Sequence, residues 1–270
     1  VTFKAAIVQL QCNSNSERNW TVVRGLIREA AAAGATLVVT PENTTFLGPH
    51  AQKVALAEAV EGPTHTRFGA LAKELGICLL VGSVAEIAEG ETNRCHNTSL
   101  LFGPDGTLLS TYRKVHLFDV DVEDGVRFKE SDTIAPGTET VVADSPCGRI
   151  GMSICYDLRF PEFYRRLVEG GAQILTVPSA FTHKTGSAHW HVLLRARAIE
   201  NQAWVIAPGQ VGHHDDEGLR HSYGHSLIIN PWGEIVAEIT RGEGFAVAEI
   251  DLEQVERVRG SMPVGKHRRF

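Results

Sequence analysis

Gly151-Met152-Ser153-Ile154-Cys155-Tyr156-Asp157-Leu158-Arg159-Phe160-Pro161-Glu162 is the stretch around which this chain is read. Its first half closes a predicted strand, Arg149–Ile154. Its end opens a predicted helix, Pro161–Gly170, since proline suits the first helical turn. Between them the chain must turn sharply at Cys155. A nucleophile on such a strand-to-helix turn is exposed, and nearby backbone N–H groups are placed to stabilise an oxyanion; the N–H of Tyr156 would point toward that site. A cysteine reacts only as thiolate and so needs a positive or polar neighbour. Taken alone, the segment does not lift a nucleophile above a buried structural thiol.

Two other segments repeat the pattern. Thr40-Pro41-Glu42-Asn43 places a carboxyl group just past the apolar strand Thr36–Thr40, and Tyr112-Arg113-Lys114-Val115-His116 places an amine at the end of Thr107–Lys114. Ligands of open α/β sheets sit beyond the carboxyl ends of strands, so the three side chains are candidates to converge. Further strands are expected at Lys4–Gln11, Ile77–Val84, Asn97–Phe102, Thr140–Ala143 and Gln173–Val177. After Ala203 the chain reads as mostly β: Ala203–Ala207, Gly224–Ile229, Glu234–Ile239 and Phe245–Ile250. Helices are expected from a Ser16 cap through Arg28 to Ala33, over His50–Val60 and Thr64–Leu75, and over Ser187–Asn201, with Gly34 and Gly76 as stops. Asp119–Pro136 and Pro178–Gly186 read as loops, and a loop of the first length inside a compact domain is usually functional. Helices alternate with strands, yet hairpins occur, so one mixed sheet and two packed sheets with helices outside both remain open.

The chain has 270 residues, which one α/β domain accommodates, so residues 1–270 are expected to form a single domain. Its 43% hydrophobic and 21% charged residues are ordinary for a globular enzyme. A net charge of −6 gives no reason to expect nucleic acid or an anionic membrane as partner. No apolar run is long enough to cross a bilayer, and the opening Val1–Gln11 alternates like a strand rather than a targeting peptide. The expected location is cytoplasmic. Five cysteines without CxxC spacing argue against a disulfide framework or a structural zinc site.

The segments Pro41-Glu42, Arg113-Lys114-Val115-His116-Leu117-Phe118 and Cys155 to Glu162 resemble the three signature regions of the nitrilase superfamily of carbon–nitrogen hydrolases, in the same order and over essentially the whole chain. That resemblance implies a four-layer α-β-β-α sandwich of two mixed sheets, a homodimer or a multiple of one, and no cofactor. It implies a Glu-Lys-Cys triad. Cys155 attacks an amide carbonyl, Glu42 carries the protons, and Lys114 with the Tyr156 N–H holds the oxyanion until a thioester forms. Glu130, in Phe128-Lys129-Glu130-Ser131, matches a second family glutamate and is expected to orient Lys114. Ser179–Thr182, Gly186–Glu200, Ser222–Ser226 and Pro231–Gly233 resemble the amidase branch. Trp190 after His189 and the ending Pro263–Arg269 lean toward deaminated glutathione amidases, whereas His116–Asp121 is closer to ω-amidases; the longer C-terminal match is given more weight. Both groups act on small amides bearing a 2-oxo acid carboxylate. Arg159 is the candidate anchor for that carboxylate, against a structural salt bridge with Glu162, and Phe181 and Thr182 are candidate pocket residues. Other nitrilases, carbamoylases or amidases, and a catalytically silent scaffold, are the alternatives.

Other signals are declined. The 12 histidines suggest no metal site: His221 and His225 have helical ligand spacing but lie in a loop-and-strand pattern. No GxGxxG follows a strand. Cys12, Cys78, Cys95 and Cys147 read as packed thiols, and Arg195 and Arg197 as interface or salt-bridge residues. The basic tail, about 257–270, is assigned to a subunit contact by the resemblance rather than to nucleic acid.

Overall fold

The first strand sets the plan of the molecule. Along β1 (Thr2–Gln9), Ala5 and Ile7 enter one apolar cluster while Ala6 and Val8 enter another, and all four are fully buried. Period-two burial on both faces means that each face of this strand is covered. The computed structural model describes residues 1–122, 126–214 and 220–269.

In the first half, β1 is followed by α1 (Ser16–Ala32), β2 (Leu37–Val39), α2 (His50–Ala55), α3 (Pro63–Leu75), β3 (Cys78–Ile87), β4 (Cys95–Phe102) and β5 (Leu108–Arg113). A hairpin, β6 (Asp119–Val122) and β7 (Val126–Lys129), leads through a 3-10 turn at Glu130–Asp132 into β8 (Val141–Ser145) and β9 (Gly148–Met152). A second 3-10 turn, Cys155–Arg159, precedes α4 (Pro161–Glu169), β10 (Ile174–Thr176), α5 (His183–Asn201) and β11 (Trp204–Ala207). The chain closes with β12 (Val211–His213), β13 (His221–Tyr223), β14 (Ser226–Ile229), β15 (Ile235–Ile239), β16 (Gly244–Asp251), α6 (Leu252–Ser261) and α7 (Val264–His267).

Two six-stranded sheets result, ordered β16-β1-β2-β3-β4-β5 and β15-β14-β11-β10-β9-β8. Each has a parallel core, β1-β2-β3 or β9-β10-β11, flanked by antiparallel strands. The sheets lie aligned, with β16 near β15, β1 near β14 and β5 near β8. Ile7, Val39 and Leu80 of one sheet and Ile150, Met152 and Ile174 of the other share the apolar layer between them. Val23 and Ile27 of α1 and Phe68 and Leu71 of α3 cover the outer face of the first sheet. Phe163 and Leu167 of α4 and Trp190 and Leu194 of α5 cover the second. The architecture is therefore an α-β-β-α sandwich.

The two parallel cores end on the same side, where buried amides stitch the sheets together. Gln9 Oε1 accepts from the Ser226 N–H at 3.0 Å, Gln210 Nε2 donates to the Glu42 carbonyl at 2.8 Å, and the Val211 N–H donates to the Leu10 carbonyl at 2.8 Å. Because β5 reverses direction twice relative to β3, its carboxyl end reaches that side too.

Several expected boundaries shift for identifiable reasons. Asp119–Pro136 is not a loop: Val120 pairs with Phe128 and Asp119 with Lys129 in the β6–β7 hairpin, while residues 123–125 lie outside the described residues. The helix expected over His50–Val60 ends at Ala55, because Glu58 forms a bridge with Glu86 and its carboxyl accepts from the Thr64 N–H at 2.7 Å. The first helix is capped by Asn15, whose side chain accepts from the Arg18 N–H at 3.0 Å, and not by Ser16. The α5 helix starts at His183 rather than Ser187. Gly186 lies inside it against Tyr223, where a Cβ would stand 2.5 Å from the Tyr223 side chain. The chain after Ala203 is mostly β as expected, but the helix α6 follows β16. Asp251 caps α6 by accepting from the Glu253 N–H at 3.0 Å, and Arg257 of the expected basic tail pairs with Asp251 at 2.6 Å. Arg259 donates to the Ala172 carbonyl at 3.0 Å and Arg268 pairs with Glu169, so part of that tail folds back on its own chain.

The layer between the sheets gives a direct test of this packing. Leu80→Ala, at a fully buried site in β3, is expected to cost about 2–5 kcal/mol in denaturant unfolding; a loss well under about 1 kcal/mol would contradict a close-packed inter-sheet layer.

Candidate active site

Cys155 stands where the sequence places it, just past β9 at the first residue of a 3-10 turn. Its φ of 48° is unusual for a non-glycine residue. The turn is held from both sides: the Cys155 N–H donates to the Pro178 carbonyl at 2.9 Å, and Asp157 Oδ2 accepts from the Ile154 N–H at 2.8 Å. Asp157 is fully buried and is the hub of a wider network. It accepts from Tyr112 Oη at 2.6 Å and from the His116 N–H at 3.1 Å, and it lies 2.7 Å from His116 Nδ1. Tyr112 and His116 flank Lys114 in sequence, so this network ties the cysteine turn to the lysine-bearing segment. The Tyr156 N–H lies in the first turn after Cys155, where helical N–H groups lack intrahelical partners.

Glu42 follows β2 and is 3% exposed; Lys114 follows β5 and is 2% exposed. The Lys114 ammonium donates to Glu42 Oε1 at 2.9 Å and to the two Glu130 oxygens at 3.0 and 2.9 Å. Asn97 Nδ2 also donates to Glu42 Oε1 at 2.9 Å, while the Ala180 N–H serves Glu42 Oε2 at 2.8 Å. The Phe118 N–H serves Glu130 Oε2 at 2.7 Å. Buried charges persist only when paired and hydrogen-bonded in this way. Burial works against the Lys114 charge, but Glu130 and Glu42 outweigh it and hold the ammonium above its ordinary range. Burial likewise works to raise Glu130, and Lys114 overcomes it, pulling that carboxyl down to about 2. Burial and then the charge of Glu42 push the Cys155 thiol up, with Lys114 opposing them.

Glu42, Lys114, Glu130, Cys155, Tyr156, Phe181 and Thr182 line one cavity. Thr182 precedes the first residue of α5 with its hydroxyl 2.8 Å from Thr185 Oγ1, and the Phe181 ring packs on Trp190 at 5.1 Å. Arg159 does not line the cavity. Its guanidinium lies 5.8 Å and 5.2 Å from the Tyr156 and Phe181 ring centres and 3.4 Å from His189 Nδ1. Among the described residues it makes no ion pair with Glu162. The cations that do line the cavity, beyond Lys114, are Lys53 and Arg220, with His50. Lys53 is 9% exposed and donates to Asn43 Oδ1 at 2.7 Å, and burial pushes its ammonium below the ordinary lysine range. Arg220 Nη2 lies 2.7 Å from His50 Nε2 and its guanidinium 5.8 Å from the Phe128 ring centre. Sequence reasoning missed this group. His50 and Lys53 are one helical turn apart on α2, which is a usable signal; Arg220 has none. Asn97 also had a signal, as a polar side chain in an apolar strand that must find a partner.

The carbon–nitrogen hydrolase family model matches residues 4–260. The chain is 42% identical to a deaminated glutathione amidase of Synechocystis, over 99% of this chain and 98% of that one. It is 39% identical to human omega-amidase NIT2, over 99% and 95%. Among solved structures, yeast Nit3, a member of branch 10 of the nitrilase superfamily, superposes with a TM-score of 0.88 at 34% identity, covering 100% of this chain and 97% of that one. The C. elegans NitFhit protein superposes with a TM-score of 0.93 at 38% identity, covering 99% of this chain, which spans only 65% of NitFhit.

Glu130, depressed from an ordinary 4.5 to about 2, stabilises the fold above pH 4.5, and that contribution is lost as pH falls toward 2. Glu130→Gln is accordingly expected to be less stable than the native chain near neutral pH, with the gap narrowing in acid below about 4.5. Denaturant unfolding across that range checks it; a gap independent of pH would contradict the buried pairing.

Proposed function

The chain belongs to the carbon–nitrogen hydrolase family, and from that premise we propose that it is a cysteine amidase hydrolysing small amides of 2-oxo dicarboxylic acids, deaminated glutathione first among them. The observation that carries the proposal is the buried Glu42–Lys114–Glu130 cluster in the cavity that Cys155 also lines.

Glu42 takes the Cys155 proton as the sulfur attacks the amide carbon. The carbonyl oxygen becomes an oxyanion held by the Lys114 ammonium and the Tyr156 N–H. As the C–N bond breaks, Glu42 returns the proton to the leaving nitrogen, and an acyl thioester remains on Cys155. Water then attacks that thioester and gives Glu42 a proton. The second oxyanion collapses, the C–S bond breaks, and Glu42 reprotonates the sulfur, leaving the carboxylic acid. Glu130 holds Lys114 in place through both oxyanions. Glu130 stays ionised beside Lys114 while Glu42 carries the proton, so the ammonium keeps a charged partner at each oxyanion step.

The substrate reading rests on the relatives named above and on the cationic wall. Lys53 has no carboxylate within ion-pair reach among the described residues, so a substrate carboxylate is its natural counter-ion. Arg220 stands beside it on the same cavity. Arg159, stacked behind Tyr156 and Phe181, is assigned a second, outer role in the same recognition. Deaminated glutathione and 2-oxoglutaramate share this acid half and differ in the leaving group, a dipeptide or ammonia. A cytoplasmic location and a homodimer belong to the same proposal. All five cysteines are unpaired, and α5 exposes Val192 and Ile199 on its outer face, as a helical subunit contact would need.

Cys155→Ser and Cys155→Ala are both expected to abolish turnover while leaving the fold intact by circular dichroism; near-native activity in Cys155→Ala would overturn the nucleophile assignment. Lys53→Met is expected to raise KM for an anionic 2-oxo acid amide about 10–100-fold, the worth of a charge-assisted hydrogen bond, with little change for a neutral amide. An equal effect on both would remove Lys53 from the anchor role. A direct comparison of deaminated glutathione, 2-oxoglutaramate, simple amides and nitriles tests the substrate, and a preference for 2-oxoglutaramate would favour an omega-amidase.

A further inference from the structure

Among the described residues, one group of imidazole and carboxylate ligands converges outside the Cys155 cavity. His191 on α5, His225 at the corner between β13 and β14, and Glu238 on β15 bring their ligand atoms within 4.8 Å of one another. Glu238 Oε1 is the meeting point, 3.0 Å from His191 Nε2 and 2.7 Å from His225 Nδ1. One oxygen thus faces two ring nitrogens from elements far apart in sequence.

The ligands are held in place by their surroundings. His225 has a φ of 52°, and its carbonyl accepts from the buried Trp190 Nε1 at 2.7 Å. The Tyr223 ring stacks on His225 with centres 4.4 Å apart and planes 22° from parallel. Supporting contacts of this kind, here around His225, are what a metal site needs around its ligands. The three side chains are about a third exposed or less, at 32%, 26% and 28%, so the ligand atoms can be reached from solvent.

We propose that His191, His225 and Glu238 bind one zinc ion per chain. Two imidazoles and one carboxylate form a borderline donor set that favours zinc over magnesium or calcium, which take oxygen ligands. The ion replaces the two hydrogen bonds to Glu238 as each imidazole moves its proton to the other ring nitrogen. It then staples α5, the β13–β14 corner and β15 together. The staple sits beside Trp190, whose ring packs on Phe181, a wall of the Cys155 cavity. The nearby imidazoles of His183, His221 and His213 are a weaker alternative. They stack face to face, with centres 4.5 and 4.1 Å apart, and they include no carboxylate.

Calorimetric titration of the chelator-treated full chain with zinc chloride tests the site, in a Cys155→Ala background that removes the cavity thiol as a competing ligand. One site per chain of about micromolar affinity or tighter is expected, with a zinc-dependent rise in Tm. His191→Gln and Glu238→Gln, both partly exposed and conservative, are each expected to weaken binding at least about tenfold and to abolish the Tm rise. His213→Gln is expected to bind as the parent does. The proposal is overturned if the parent shows no such site, if both ligand variants bind zinc as the parent does, if His213→Gln is the variant that loses it, or if zinc-edge absorption reports sulfur ligands.

Discussion

The Lys114 ammonium sits between two carboxyl groups in a place that water barely reaches, and the cavity takes its properties from that arrangement. Taking these charges out of water is costly, and their mutual attraction offsets the cost only when every lone pair and proton is satisfied. Here Asn97, the Ala180 N–H and the Phe118 N–H supply the remaining hydrogen bonds. The cluster also sets the state of its neighbour. Burial and the Glu42 charge push the Cys155 thiol up, while Lys114 opposes them.

Such a cluster is useful only if the strand ends that carry it cannot drift. The sandwich provides this by ending its two parallel cores on one side and joining them there through Gln9 and Gln210. Asp157 then ties the Cys155 turn to Tyr112 and His116 on either side of Lys114. Asp157 thus holds the Cys155 turn and the lysine segment together without lining the cavity itself.

Much of this was legible in the sequence. Glu42 and Cys155 each stand just past a buried apolar run, where a polar residue is conspicuous, and Lys114 follows the mixed strand β5. Glu130 was reached only through resemblance, since its placement depends on the β6–β7 hairpin, which was read as a loop despite the alternation of Val120 and Phe128 with charged neighbours. Side-chain direction was the main obscurity. Arg159 lies close in sequence to Cys155 but turns behind Tyr156 and Phe181, while Lys53 on a short helix and Arg220 far along the chain reach the cavity. His191, His225 and Glu238 share no spacing motif, because a strand, a corner and a helix bring them together only in three dimensions. The helix α6 was missed since its apolar positions, Leu252, Val255 and Val258, follow a strand without a break.

The proposed chemistry turns on a covalent step at one sulfur in this charged cavity. Rapid mixing of the native chain with deaminated glutathione, acid quenching and peptide mass mapping tests it directly. The prediction is a transient 2-oxoglutaryl adduct on the peptide containing Cys155, removed by hydroxylamine as a thioester should be. Full turnover with no adduct on that peptide, or an adduct on Cys12, Cys78, Cys95 or Cys147 instead, would contradict it.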